Sequence, residues 1–172
     1  MNIQIDDGTD LSPRKPTPTE YRGVRYRSRH EASFALLLDM QGNNFMYEPA
    51  EFRVNAWTPD FVTWRTAGHV PGLQFPRFTV IELKPVRPTL TYAQGLANNV
   101  QVLQQRFGKR LLIGRLVYGD LWKPETMMVV TFFESDKVCL GQQQLMIRPE
   151  EAAEIKSYRF DLENGGKLND VT

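Results

Sequence analysis

Apolar and polar residues change period along this chain, and the changes divide it into elements. Arg77-Phe78-Thr79-Val80-Ile81-Glu82-Leu83-Lys84 is rich in β-branched and aromatic residues, which predicts a strand. Strand side chains alternate, so Thr79, Ile81 and Leu83 share one face and Val80, Glu82 and Lys84 the other. Pro85 has no N–H for a ladder and ends the strand. Phe61–Trp64 reads as a second strand, and Asn44-Phe45-Met46-Tyr47-Glu48-Pro49 as a third, ended by Pro49. Glu51-Phe52-Arg53-Val54-Asn55 alternates and is expected to be another. Leu111–Tyr118 is a nearly continuous apolar run, the pattern of a strand buried on both faces.

Helical periods occur between these segments. Ala32, Phe34, Ala35, Leu37 and Leu38 line one helical face. Ser28 is a natural N-cap, Glu31 stands at capping-box spacing, and Gly42 is the expected stop. Leu96, Val100, Leu103 and Phe107 recur at helical spacing after Thr89 or Thr91, each a fair N-cap. That helix, set between the Glu82 strand and the Leu111 run, makes a crossover between parallel strands, normally right-handed. Met127–Phe133 is a further strand, Val138-Cys139-Leu140 a short last one, and Arg148-Pro149-Glu150-Glu151 opens a short helix.

Residues 1–20 bury little and are full of breakers, which predicts an irregular arm. One domain over residues 21–162 and a polar tail over 163–172 complete the organisation. Residues 65–76, with Gly68, Pro71, Gly72 and Pro76, are expected to be a loop. His69 in that loop is read as solvated.

Composition narrows the function classes. The chain has 172 residues, 41% hydrophobic and 24% charged, the profile of a globular domain with a real core. One cysteine, Cys139, excludes an internal disulfide framework or a zinc cluster and is read as a packing residue. No apolar run reaches the roughly 20 residues of a membrane span, and the first residues are not a signal peptide, so a cytoplasmic protein is expected. The net charge of +1 announces no nucleic-acid partner. The local pattern differs. Tyr21–His30 holds Arg22, Arg25, Arg27, Arg29 and His30 interleaved with two tyrosines. Two readings stand: contact with a phosphate backbone, or a solvated lead-in to the first helix.

The candidate chemistry lies between Trp57 and Lys84. Glu82 and Lys84 project together from the end of one strand, and Asp60 stands at the start of another. Carboxylates that hold Mg²⁺ beside an ammonium that offsets charge suit metal-assisted phosphodiester hydrolysis. The plain alternative is a turn cap at Asp60 and a surface ion pair at Glu82 and Lys84. Glu31 likewise has two uses, as the capping-box carboxylate or as a third acidic group at the site.

Arg27-Ser28-Arg29-His30-Glu31, Tyr47-Glu48-Pro49, Thr58-Pro59-Asp60-Phe61 and Ile81-Glu82-Leu83-Lys84, in that order, resemble the PD-(D/E)XK nuclease superfamily. They are similar to its phage Holliday-junction endonucleases and transposon-end nucleases. The likeness covers roughly residues 25 to 117. It implies an α/β fold with a restriction-endonuclease-like αβββαβ core, a mixed central sheet flanked by helices. It implies DNA cleavage with Mg²⁺ or Mn²⁺, Glu31, Asp60 and Glu82 as metal ligands, and Lys84 as water-orienting base or stabiliser. It tips Glu31 to the site, and it suggests Gln94 from the second long helix as a further catalytic group. Pro85-Val86-Arg87-Pro88 departs from the glycine common after the motif. A bacterial or phage-infected cell is the implied setting. Cutting two strands calls for two sites, so a homodimer or a partner subunit is expected. Two rivals remain: a nuclease subunit of a transposition or defence complex, inert alone, and a non-catalytic DNA-binding or assembly protein on the same fold.

Overall fold

The computed structural model describes residues 16–64, 78–109, 111–132 and 142–160. Thr19–Tyr21 (β1) and Val24–Tyr26 (β2) form an antiparallel hairpin. Arg22 and Gly23 at its turn have φ of 50° and 73°, the positive values that two-residue hairpins need. This hairpin corrects the expectation of an irregular arm to residue 20 and of a simple lead-in after it. Thr19, Tyr21 and Tyr26 point inward and are buried, so the basic run has an apolar side.

Arg29–Met40 (α1) starts at the expected cap, where Ser28 Oγ accepts the Glu31 N–H at 3.2 Å. Every residue from Glu31 to Leu38 is buried, not one stripe alone. The β1–β2 hairpin and a later helix, Pro149–Ser157 (α3), cover the sides of α1 turned away from the sheet. Asn44–Tyr47 (β3), Phe61–Trp64 (β4), Phe78–Lys84 (β5), Leu112–Tyr118 (β6), Met128–Phe132 (β7) and Gln142–Gln144 (β8) form one sheet, in that spatial order. Its one parallel pair among the described residues is β5–β6, and Leu90–Phe107 (α2) makes the crossover between them. The molecule is therefore a mixed α/β structure with a six-stranded mixed sheet and, among the described residues, three helices.

Two apolar layers flank the sheet. Phe61, Ile81, Leu83 and Val117 pack with α1 and α3, while Val62, Val80, Leu112 and Leu116 pack with α2. The alternation in β5 is the one expected from sequence, and it carries Glu82 and Lys84 onto the α2 side. The four spaced apolar residues of α2 pack there too. Gln104, on the amide-rich side of that helix, is buried and its Nε2 donates to the Leu112 carbonyl at 3.2 Å.

One other expectation changes. Glu51–Asn55 is not a strand. Ala50–Phe52 is a 3₁₀ turn, and Val54 and Trp57 exchange both backbone hydrogen bonds around Asn55, whose φ is 53°. Pro49 cannot donate to a ladder, so the chain leaves the sheet there and returns at Phe61. The predicted strand at Val138-Cys139-Leu140, the His69 loop, residues 1–15 and the tail after 160 lie outside the described residues.

Gly114 lets α2 sit close to β6. A Cβ built there would lie 2.5 Å from Val100 Cγ2, closer than packed atoms allow. Gly114→Ala is expected to destabilise by about 1–3 kcal/mol, lowering the melting temperature by several degrees. Val100→Ala in the same chain should recover part of that loss, and strictly additive effects in calorimetry would contradict the contact.

Candidate active site

The register of β4 on β5 builds the site. Phe61 faces Ile81 across the antiparallel ladder, so the next step outward brings Asp60 beside Glu82. Asp60 Oδ2 accepts the Leu83 N–H at 2.8 Å, which fixes the carboxylate against the β5 backbone. Asp60 is 2% exposed and Glu82 is 4%, so two like charges stand together out of water. Burial first, and then the neighbouring Glu82 carboxylate, push the Asp60 carboxyl up to about 7.

Glu82 is held on both oxygens. Trp57 Nε1 donates to Oε2 at 3.0 Å, and the Tyr92 hydroxyl donates to Oε1 at 2.5 Å. The Lys84 ammonium also reaches Oε1 at 2.8 Å and lies 5.1 Å from the Tyr92 ring centre. Burial alone would lower the Lys84 pKa, but Glu82 and the Tyr92 hydroxyl outweigh it and hold the ammonium firmly charged.

Glu31 approaches from the other layer of the sheet. Its carboxylate does not close the capping box onto the Ser28 N–H. It reaches one residue further back and accepts the Arg27 N–H at 3.0 Å and the Tyr47 hydroxyl at 2.7 Å. Tyr47 is fixed in an aromatic cluster, its ring centre 4.5 Å from Tyr26 and 5.4 Å from Phe61.

Arg27 joins the parts. Its guanidinium contacts Asp60 Oδ1 at 2.5 Å, Glu31 Oε1 at 3.3 Å and Glu48 Oε1 at 2.9 Å. Glu48 takes the unusual φ of 44° while its N–H donates to the Asp60 carbonyl at 3.0 Å. Four carboxylates (Glu31, Glu48, Asp60 and Glu82) thus share two cations, Arg27 and Lys84.

The donor set is all oxygen, which suits a hard cation such as Mg²⁺. Among the described residues, however, no three acidic, histidine or cysteine side chains stand together in a set able to hold one metal ion. Arg27 lies between Glu31 and Asp60, whereas the β4–β5 register sets Asp60 and Glu82 side by side. Mg²⁺ is commonly held by one or two carboxylates with water and substrate phosphate filling the rest, so that pair fits it.

The other sequence candidates fall in different places. Gln94 is exposed, and Tyr92 is the α2 residue that meets Glu82. Two helix positions differ by about 200°, which puts Gln94 on another side of α2. Within the basic run, Arg22 pairs with Asp39 at 3.1 Å, and Arg29 lies 5.6 Å from the Trp122 ring centre. The His30 ring stands 6.3 Å from Trp122, and its Nε2 is buried. Burial, opposed by Asp120, lowers the His30 pKa to about 4. Arg25 on β2 is exposed. The run is therefore divided between the carboxylate cluster, the protein body and solvent. Sequence reading passed over Arg27 as a site cation, together with Tyr47, Trp57 and Tyr92. Arg27, Tyr47 and Trp57 each lie within four residues of Glu31, Glu48 or Asp60, whereas Tyr92 follows Glu82 by ten residues and carried no local signal. Among the described residues no helix is long and apolar enough to cross a membrane. Comparisons of the chain with protein-family models, with curated proteins and with solved structures find no match.

Linkage gives the sign of a pH effect at this site. Folding raises the Asp60 pKa from 3.8 to about 7. Its contribution to stability is fully present below pH 3.8 and lost as pH rises through 7. His30 acts oppositely: its contribution is present above pH 6.5 and lost as pH falls through 4. Subtracting wild type from Asp60→Asn isolates the first effect. The variant should gain melting temperature relative to wild type between pH 4 and pH 8, and a difference that stays flat across that range would contradict it.

Proposed function

We propose that this chain is a metal-dependent endonuclease, hydrolysing DNA phosphodiester bonds with Mg²⁺ or Mn²⁺ at the outer ends of β4 and β5. The observation that carries the reading is the β4–β5 register, which sets Asp60 and Glu82 side by side with Lys84 on Glu82. The succession α1, β3, β4, β5, α2, β6 has the order of the αβββαβ core expected from the motif resemblance. It supports reading the fold as restriction-endonuclease-like.

Asp60 and Glu82 would hold the ion. When bound, it supplies a Lewis acid for the phosphate oxygens and a source of hydroxide at neutral pH. The protein's own groups do the positioning. Trp57 and Tyr92 fix both Glu82 oxygens, and the Leu83 N–H fixes Asp60. Lys84 bonds Glu82 at 2.8 Å, and that position suits a role in donating hydrogen bonds and offsetting charge on the phosphate. Glu31, through Tyr47 and Arg27, sets the position of the guanidinium that meets Asp60. Arg27 balances charge in the cluster and would yield its place on Asp60 to a divalent cation.

That Arg27 contact also favours a second reading. A guanidinium lodged on Asp60 suits the nuclease subunit of a larger assembly, in which a partner or the DNA phosphate draws Arg27 away.

Purified wild type should cut at least one of supercoiled plasmid, linear duplex, single strand or four-way junction with Mg²⁺ or Mn²⁺, and EDTA should stop it. Lys84→Ala should lower the rate by about 10²–10³-fold, as loss of one preorganised donor does elsewhere, with Asp60→Ala at least as severe. Cutting that survives both substitutions would place the chemistry elsewhere. A wild type that binds DNA and never cuts would favour the non-catalytic rival.

A further inference from the structure

Beside Glu82 lies an open cavity of about 480 Å³, lined by Trp57, Tyr92, Gly95, Leu96, Asn98 and Asn99. That is within the roughly 300–1,000 Å³ of small-molecule sites. Its α2 wall follows from helix geometry: Tyr92, Gly95, Leu96 and Asn99 stand at i, i+3, i+4 and i+7. Trp57 adds to the lining from the turn before β4.

The lining has a definite chemistry. Among the described residues it holds aromatic, aliphatic and amide side chains and no charged one, a lining suited to a flat neutral group. Two aromatic side chains offer faces for stacking, and each asparagine amide offers two donors and an acceptor, the groups that pair with a base edge. Gly95 keeps the space clear: a Cβ there would meet nothing within 4 Å. Most telling is the connection to the site. The two aromatic walls are the two residues that donate to the two oxygens of Glu82. A flat ligand held between them would carry its attached phosphate toward Glu82 and Lys84.

We infer that this pocket takes a nucleobase from an unpaired nucleotide next to the scissile phosphate. The inference rests on the nuclease reading and adds a substrate class to it. A base in the pocket has left its stack, which costs least where it is already unpaired. The preferred DNA is therefore single-stranded, frayed or branched at the point of cutting, rather than continuous duplex.

The test uses the Trp57 indole N–H resonance of the full chain. Thymidine and deoxyadenosine 5′-monophosphates should shift it, and deoxyribose 5-phosphate, which lacks the base, should not. Gly95→Leu fills the cavity at an exposed helix position where leucine is the better helix former, and it removes neither Glu82 nor its donors. It should weaken nucleotide binding by about tenfold or more, the scale of one lost base stack. It should also remove the preference for DNA with an unpaired nucleotide over continuous duplex. Shifts that are equal with and without the base, or unchanged in Gly95→Leu, overturn the pocket. If wild type still cuts DNA in that case, the nuclease reading stands without it. Base-dependent shifts in a protein that cuts nothing would keep the pocket and remove the reading of a nuclease that acts alone. No shift and no cutting would end both.

Discussion

The bond from the Leu83 N–H to Asp60 is the constraint on which the site depends. It pins one carboxylate to the backbone of the strand that bears the other, so their repulsion cannot be relieved by either side chain turning away. Asp60 is almost fully buried, so water cannot screen it. The fold therefore holds an arrangement that works against its own stability, as active sites do when like charges are kept together for a ligand. Everything near the pair serves to contain it. Trp57, Tyr92 and Lys84 bond Glu82, and Arg27 bonds Asp60.

The layers of the fold explain why the four acids are unequal. Glu82 faces the α2 side of the sheet, whereas Glu31 rises from α1 on the other. They meet only round the sheet's end, through Arg27 and Asp60. A guanidinium bridges that distance with five donors spread over a planar fork, a wider reach than the compact ammonium of a lysine. Tyr47 then ties Glu31 into the aromatic cluster around Phe61. The result is a graded site: a close pair, Asp60 and Glu82, with Glu31 and Glu48 holding the arginine that stands against it.

Local pattern made the main elements legible. The caps at Ser28 and Thr89, the alternation in β5 and the continuous apolar run of β6 each follow from short-range chemistry, and each stands where the pattern puts it. The β1–β2 hairpin was hidden because its charged residues outnumber the inward Tyr21 and Tyr26, and its turn is Arg-Gly rather than Asn-Gly. Glu51–Asn55 misled for the opposite reason: it alternates, but Pro49 had already taken the chain off the ladder. Strand alternation set Glu82 beside Lys84, and the motif pattern joined Asp60 to them; the register that places Asp60 opposite Glu82 was not legible. The roles of Arg27, Trp57 and Tyr92 depend on contacts 33, 25 and 10 residues apart in sequence, which no local period encodes.

The central claim is that Asp60 and Glu82 form a cation site against which Arg27 competes. A calorimetric titration with Mn²⁺ tests it without needing any substrate. Wild type should bind Mn²⁺ at one class of site, Asp60→Asn should lose that binding, and Arg27→Gln should bind more tightly than wild type. Binding that ignores Asp60→Asn, or its absence from both wild type and Arg27→Gln, would contradict the account and leave the cluster as an ion-pair network alone.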